Sequence, residues 1–210
     1  MMRALLLVDL QNDFVEGGAL AVNGGKEITE LANSLMPHFD LRVATQDFHP
    51  ENHGSFAPAP ELIGTLGELG GLPQVLWPAH CIQGTPGADF VQGLNLQAID
   101  KIIPKGTDPE IDSYSGFFDN GRRKETELHN YLQQQNVTEV YVIGIATDYC
   151  VKFTALDAAD LGYKTFLIED ACRGVDLNPG DIDKALTEMQ EKGVAVVQSQ
   201  ELKELYNGTF

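Results

Sequence analysis

The sequence has little positive charge. Its 210 residues include 14 Lys and Arg against 31 Asp and Glu, which gives a formal net charge of −17 at pH 7. An acidic excess of this size argues against binding to the phosphate backbone of nucleic acids and against docking on anionic lipid. We therefore expect a neutral or cationic small molecule as the partner, with no nucleic acid and no membrane.

Long hydrophobic runs and frequent cysteines are missing as well. The apolar run that follows Arg3 is interrupted by Asp9 before it reaches the length of a signal peptide, and nothing else marks export. The three cysteines, Cys81, Cys150 and Cys172, are an odd number and lie far apart in a chain too large to need disulfide bonds. These features favour reduced thiols and a cytoplasmic protein.

The remaining composition is ordinary for a globular protein, at 43% hydrophobic and 21% charged residues. Neither internal repeats nor low-complexity tracts interrupt it. A chain of this length can bury a sizeable core, so we expect residues 1–210 to form a single domain.

Short aliphatic or β-branched runs alternate with amphipathic segments along the chain. The runs predict strands at 3–10, 41–45, 99–104, 140–145, 164–168 and 194–197. The amphipathic segments predict helices at 28–36, 124–135, 151–161 and 179–192. Residues 51–97 read as a long loop, and 106–121 as a second irregular segment. The alternation predicts an α/β fold with a doubly wound, mainly parallel six-stranded sheet and helices on both faces.

In such a sheet the ligand lies outside the carboxyl ends of the strands. Polar residues that carry chemistry follow several of the predicted strands. They are Asp9, Asp47, His49, Lys105, Cys150, Glu169 and Asp170. We therefore expect the functional site at this edge of the sheet.

Cys150 lies where a predicted buried strand turns into a helix. Free N–H groups and the macrodipole at a helix start favour an anion, so we expect this thiol to lose its proton more easily than usual. Gly144 and Ala146 are small enough to let a ligand approach the backbone, whose amides could bind an oxyanion. The alternative is a buried cysteine with a purely structural role.

A cysteine nucleophile needs a base, and a carboxylate held by a cation can serve in place of histidine. Asp9 and Lys105 each close a predicted strand, so they are candidates for that pair. The alternatives are an aspartate that caps a strand end and a solvated surface lysine.

Asp47 and His49 are two residues apart, so an extended backbone would point both side chains the same way. Together with His80 they form a ligand set suited to zinc, with iron or manganese as alternatives. His53 and Ser55 follow closely and are candidates for a further ligand or for orienting one. The alternative is a loop in which these histidines only form hydrogen bonds.

Five longer segments carry a specific resemblance. They are L-L-L-V-D-L-Q-N-D-F, Q-D-F-H-P-E-N-H-G-S-F, W-P-A-H-C, Y-S-G-F-F-D-N-G and G-I-A-T-D-Y-C-V-K-F-T-A-L-D-A. These segments resemble those of the nicotinamidase (pyrazinamidase) branch of the isochorismatase-like cysteine hydrolases. The matches run in the same order along the chain, from Arg3 to Arg173.

The resemblance implies a role for each matching residue. Cys150 would be the nucleophile, Asp9 the general base and acid, and Lys105 the cation that orients Asp9 and favours the thiolate. One divalent metal would be held by Asp47, His49 and His80, and would bind the pyridine nitrogen directly or through a water.

The resemblance also implies a pocket and an oxyanion site. Phe14, Trp77 and Tyr114 would wall the substrate ring, although aromatic residues of this kind often belong simply to a core. A cis peptide bond between Ile145 and Ala146 would turn the amides of Ala146 and Cys150 toward the oxyanion.

The implied activity is hydrolysis of nicotinamide to nicotinate and ammonia, with pyrazinamide as a second substrate and NAD salvage as the setting. Two alternatives remain open. One is another amidase of the superfamily acting on a carbamoyl or ureido group, which the presence of a metal set disfavours. The other is a non-catalytic metal-binding protein. True isochorismatases fit less well, since they lack the nucleophilic cysteine, and whether the chain forms a homo-oligomer stays open.

Overall fold

The computed structural model describes residues 2–202. Its strands are β1 Met2–Val8, β2 Leu41–Asp47, β3 Leu66–Leu69, β4 Leu72–Val75, β5 Lys101–Lys105, β6 Val137–Ile145, β7 Lys164–Arg173 and β8 Ala195–Val197. Its α-helices are α1 Ile28–Leu35, α2 Leu128–Gln134, α3 Lys152–Asp160 and α4 Asp181–Glu191. Among these residues, no helix is long and apolar enough to cross a membrane.

Six strands form one sheet in the order β5-β2-β1-β6-β7-β8. Every neighbouring pair is parallel. This confirms the predicted six-stranded sheet. The strand order reverses between β1 and β6, and a reversal of this kind opens a crevice at the carboxyl ends of the two strands.

Helices cover both faces of the sheet because the side chains of β1 alternate between two cores. Leu5 and Leu7 belong to the core that also contains Ile28 and Leu35 of α1. The intervening side chains of β1 face a second core, to which α2, α3 and α4 contribute. That core includes Leu6, Leu128, Ala155 and Met189. A nearly continuous apolar strand is what burial on both faces requires.

The segment 51–97 is more structured than a plain loop. It contains the antiparallel hairpin of β3 and β4, which stands apart from the main sheet. It also holds short 3-10 turns at Pro60–Leu62, Pro86–Ala88 and Leu96–Ala98. Gln74 is the one buried residue among the eight that form the two hairpin strands.

Two residues expected at a strand end lie elsewhere. Because β7 continues to Arg173, Glu169 and Asp170 fall inside the strand. Gln198 donates a hydrogen bond to Glu169, and the backbone N–H of Ser199 donates one to Asp170. The prediction that placed them at the functional edge is wrong, since both carboxylates anchor the segment after β8.

Gly144 is required for packing rather than for ligand access. Its φ of +123° is disfavoured for residues with a side chain. A Cβ built at this position would overlap the backbone carbonyl oxygen of Val8 in the neighbouring strand. The absence of a side chain therefore lets β1 and β6 approach each other just before the crevice.

Candidate active site

The Lys105 ammonium is the centre of the site. Its Nζ lies 2.8 Å from Asp9 Oδ2 and 3.1 Å from Asp47 Oδ1. It also lies 3.4 Å from Cys150 Sγ and donates to the carbonyl oxygen of Ser113 at 2.8 Å. The residue is only 2% exposed, so the alternative of a solvated surface lysine is wrong. Four strand ends of the parallel sheet thus converge on one buried cation.

Asp9 is fully buried at the end of β1. Thr45 Oγ1 donates to Asp9 Oδ1 at 2.6 Å, while Oδ2 has no aligned hydrogen-bond donor despite its closeness to the ammonium. Burial raises the pKa of Asp9 from its ordinary value, and Lys105 opposes that shift. A carboxylate with a raised pKa, held by an ammonium that also contacts the sulfur, is well suited to accept a proton.

Cys150 sits in a turn of π-helix, Thr147–Val151, that precedes α3. Burial raises the pKa of the Cys150 thiol well above its ordinary value, and the charge of Lys105 opposes this only in part. This direction is opposite to the expectation of an easily ionised thiol, because desolvation outweighs the charge of the ammonium. The peptide bond between Ile145 and Ala146 is cis, as the resemblance implied.

Beside this cluster, Asp47, His49 and His80 bring their ligand atoms together. Asp47 Oδ2 lies 3.0 Å from His49 Nε2 and 3.4 Å from His80 Nε2. Ligand atoms bound at the usual distances to one tetrahedral zinc would be roughly 3.3 Å apart. The three residues are buried and form a candidate metal site.

The hydrogen bonds of the histidines also fit a metal. His49 Nδ1 lies 2.7 Å from the carbonyl oxygen of Gly106, and His80 Nδ1 lies 2.7 Å from that of Pro78. Since a carbonyl can only accept, each Nδ1 carries a hydrogen, and Nε2 is the nitrogen that could bind an ion once it is deprotonated. His49 Nε2 is buried without an aligned hydrogen-bond partner, which is the expected state of an atom that binds an ion.

His53 and Ser55 lie next to this set. Ser55 Oγ is 2.7 Å from His53 Nδ1, while His53 Nε2 is buried without a partner. The His53 ring stacks at a tilt on His49, with 4.1 Å between ring centroids. Ligand atoms of His49, His53 and Asp112 also lie within 4.8 Å of one another. This places His53 as the candidate for a further ligand and Ser55 as the residue that orients it.

The charges in the metal-free site follow from Asp47. Burial opposes protonation of His49, but the Asp47 carboxylate outweighs it and raises the pKa of His49 to about 9. Burial and the neighbouring His49 lower the pKa of His53 to about 4, so His53 is neutral. A metal would have to displace the proton of His49, which makes its binding dependent on pH.

A narrow cavity connects the two clusters. It is lined by Phe14, Leu20, Asp47, Trp77, His80, Asp112, Tyr114, Ala146, Tyr149, Cys150 and Val175. The space open to the centre of a water molecule is only about 30 Å³. Aromatic side chains wall this cavity, and Cys150 lies at its surface.

The sequence predicted part of this lining. All three expected ring-wall residues, Phe14, Trp77 and Tyr114, face the cavity together with Cys150. The sequence analysis missed Leu20, Asp112, Tyr149 and Val175. The position of Tyr149 beside Cys150 was a usable signal. The other three come from irregular segments, where no spacing in the sequence indicates which side chains turn inward.

Comparisons with known proteins show which family this chain resembles. Residues 3–201 match the isochorismatase domain family. The nicotinamidase of Escherichia coli (strain K12) is 50% identical over 92% of this chain and 93% of its own length. The structure of an Acinetobacter baumanii nicotinamidase and pyrazinamidase has a TM-score of 0.92 at 46% identity and covers 95% of this chain and 97% of that one. A pyrazinamidase of Pyrococcus horikoshii, solved with zinc, has a TM-score of 0.77 at 40% identity, covering 94% and 99%.

Proposed function

This chain belongs to the isochorismatase family, and we propose that it hydrolyses nicotinamide to nicotinate and ammonia with Cys150 as the nucleophile. The activity is that of the nicotinamidases with which the chain shares up to half of its residues. The observation that carries the residue assignment is the contact of one buried ammonium, Lys105, with both Asp9 and Cys150.

Acylation begins with proton transfer from Cys150 Sγ to the carboxylate of Asp9. Because the pKa of the thiol is raised, this base is needed to produce the nucleophile at neutral pH. The sulfur attacks the carboxamide carbon, and the carbonyl electrons move to oxygen, where the backbone N–H groups of Ala146 and Cys150 hold the charge. As the C–N bond breaks, Asp9 returns the proton to the leaving nitrogen. Ammonia departs and a thioester remains.

Deacylation repeats these steps with water. Asp9 takes a proton from the water, whose oxygen attacks the thioester carbon. The C–S bond then breaks, and the sulfur recovers a proton from Asp9. The net reaction consumes one water and releases nicotinic acid, which gives its proton to the ammonia or to solvent and leaves as nicotinate, and the enzyme returns to its starting protonation state.

Lys105 supports both half-reactions without giving up its own proton. Burial alone would lower the pKa of Lys105, but the carboxylates of Asp47 and Asp9 outweigh it and raise that pKa well above its ordinary value. The permanently charged ammonium keeps Asp9 oriented. It also stabilises the thiolate whenever the sulfur ionises.

We assign Asp47, His49 and His80 as the metal ligands, with His53 as the further ligand. A divalent ion bound there would supply a Lewis acid for the pyridine nitrogen, which would orient the ring. Zinc is our first choice, supported by the Pyrococcus horikoshii relative, and iron or manganese are the alternatives.

The aromatic walls explain the choice of ring. Phe14, Trp77 and Tyr114 offer apolar surfaces to a flat heteroaromatic group, and the carboxamide then lies against Cys150. Pyrazinamide differs from nicotinamide by one ring nitrogen and has the same shape, so it is also a substrate. We place this reaction in the cytoplasm, as part of NAD salvage.

The test is ammonia release from nicotinamide by the purified protein, measured before and after chelation and with single divalent ions restored. Nicotinamide and pyrazinamide should be hydrolysed, whereas carbamoyl and ureido compounds should not. Preference for a carbamoyl substrate would favour the other amidase branch. Bound metal without any amide hydrolysis would identify a binding protein and contradict the proposal.

A further inference from the structure

Gln74 reaches from an exposed hairpin to two residues that line the substrate cavity, Asp112 and Tyr114. The β3–β4 hairpin is half-buried or exposed at its other strand positions, yet Gln74 is only 2% exposed. Its Nε2 lies 3.1 Å from Asp112 Oδ2 and 3.1 Å from Tyr114 Oη, and both partners line the cavity. No other residue of the hairpin strands takes part in the hydrogen bonds of that wall within the part of the chain that the structure describes.

The donors and acceptors around Gln74 fix its orientation. Besides Asp112, its Nε2 contacts the backbone carbonyl oxygen of Val75 at 2.8 Å. A carboxylate and a carbonyl can only accept, so the side-chain nitrogen, and not the oxygen, faces them. Nε2 has two hydrogens for three acceptors, so one hydrogen is shared between Tyr114 Oη and a neighbouring acceptor.

The same assignment of donors and acceptors leaves the hydroxyl hydrogen of Tyr114 without an acceptor in Gln74 or Trp77. Tyr114 Oη receives the indole N–H of Trp77 at 3.2 Å in addition to its contact with Gln74 Nε2. Neither nitrogen can accept, so neither can take the hydrogen that Tyr114 itself donates. Burial raises the pKa of Tyr114 well above its ordinary value, which keeps the hydroxyl protonated. Because Tyr114 lines the cavity, a ligand bound there can accept this hydrogen.

From this network, and on the basis of the proposed function, we infer that Gln74 is a positioning residue for substrate binding. With Trp77 it holds the Tyr114 hydroxyl so that this group donates a hydrogen bond to the bound heteroaromatic amide. The hairpin thereby acts on the affinity for the substrate and leaves the bond-breaking step to Asp9, Lys105 and Cys150.

The first test separates KM from kcat for nicotinamide in Gln74→Met, which keeps the length of the side chain and removes its donors. We expect KM to rise about tenfold, the loss of roughly one hydrogen bond, with kcat changed less than about twofold. Glu68→Ala, at an exposed position of the same hairpin, should match the wild type. An unchanged KM in Gln74→Met, or an equal fall in kcat, would overturn the inference.

A double-mutant cycle tests whether Gln74 acts through Tyr114. Tyr114→Phe should raise KM about as much as Gln74→Met, and the double variant should be no worse than either single one. If the two increases multiply to about a hundredfold, the residues act independently and the positioning role is wrong. Tyr114→Phe keeps the ring, so it also tests the hydroxyl if Gln74→Met fails to fold.

Binding can be measured without turnover. Trp77 is the single tryptophan of the chain and lies in the cavity wall, so its emission should report ligand binding directly. In a Cys150→Ala background, Gln74→Met should raise the Kd of nicotinamide by the same factor as KM. A wild type that binds nicotinamide without releasing ammonia would contradict the proposed function, while this Kd would still decide the role of Gln74.

Discussion

Asp47 and Lys105 face each other across the paired ends of β2 and β5, with Asp47 Oδ1 3.1 Å from Lys105 Nζ. The other oxygen of the same carboxylate, Oδ2, points to His49 and His80. One carboxylate therefore belongs to both clusters. Removing its charge should therefore change both the metal affinity of the site and the pKa of the Cys150 thiol.

Asp47→Asn should affect both clusters, while His80→Ala should affect one. Both variants should lose metal affinity, by at least about tenfold, when metal content is measured by competition with a chelator. The negative charge of Asp47 also raises the pKa of Cys150, so its removal should lower that pKa. In metal-free protein, Cys150 should then be alkylated faster in Asp47→Asn than in His80→Ala. Equal rates would show that Asp47 does not influence the sulfur.

Cys150→Ala should abolish ammonia release and leave the fold intact, because only the attacking atom is lost. The matched control is Cys172→Ala, which removes a second buried free thiol from β7, where its Sγ donates to the carbonyl oxygen of Ile168. That variant should keep its turnover. Ammonia production is the readout, with circular dichroism as the test of folding. Residual turnover in Cys150→Ala would exclude the sulfur as nucleophile.

Lys105→Met should cost both stability and activity. Removing the cation leaves the buried Asp9 carboxylate uncompensated and leaves Asp47 with His49 as its charged neighbour, and we expect the free energy of unfolding to fall by about 3–5 kcal/mol. Denaturant unfolding measures this loss. Adding Asp9→Asn to Lys105→Met removes the uncompensated charge and should restore part of the stability without restoring turnover. A double variant no more stable than Lys105→Met would contradict this account.

The rate at which Cys150 is alkylated should rise with pH through the neutral range. Burial raises the pKa of this thiol well above its ordinary value, so most of the sulfur is protonated at neutral pH. Only the thiolate reacts, and its fraction grows about tenfold for each pH unit below the pKa. Iodoacetamide labelling followed by mass spectrometry, with Cys150→Ala as control, measures the profile. A rate that is already constant at neutral pH would mean that the thiolate predominates there.

Gly144→Ala should destabilise the protein more than the same change at another glycine with positive φ. Both Gly144 and Gly162 have φ values near or above +90°, so each substitution strains the backbone by about 1 kcal/mol or more. At Gly162 a new Cβ meets no atom within 4 Å, whereas at Gly144 it overlaps the Val8 carbonyl. We expect a total loss of about 3 kcal/mol at Gly144, measured by thermal or denaturant unfolding. Equal losses of stability in Gly144→Ala and Gly162→Ala would show that contact with the Val8 carbonyl does not add to the backbone strain.

The sheet and the polar residues at its edge could be predicted from the sequence because each rests on a local signal. Short apolar runs mark strands, and the polar residue that follows each run lies at a known edge of a parallel sheet. Asp9, Asp47 and Lys105 were found in this way and do meet. Glu169 was misplaced by the same rule, since the end of a strand depends on the pairing of its neighbour, which the sequence does not display.

The ionisation of Cys150 and the inward turn of Gln74 could not be predicted. The helix start and the ammonium both favour a thiolate, but the opposing cost of burial depends on how completely the folded chain excludes water from the sulfur. Gln74 lies in a hairpin where apolar and polar residues alternate only weakly. Its burial depends on hydrogen bonds to residues about forty positions later, Asp112 and Tyr114.

Four strand ends that are far apart in the sequence meet at Lys105, so turnover reports the fraction of the protein that is correctly folded. A fragment that lacks any one of these strands has no reacting centre, and a chain whose central strands separate loses it at once. During denaturation, ammonia production should therefore be lost over the same range of denaturant in which the emission of the buried Trp77 changes to that of an exposed indole. In crude samples, turnover calibrated against the pure protein would then give the amount of correctly folded enzyme.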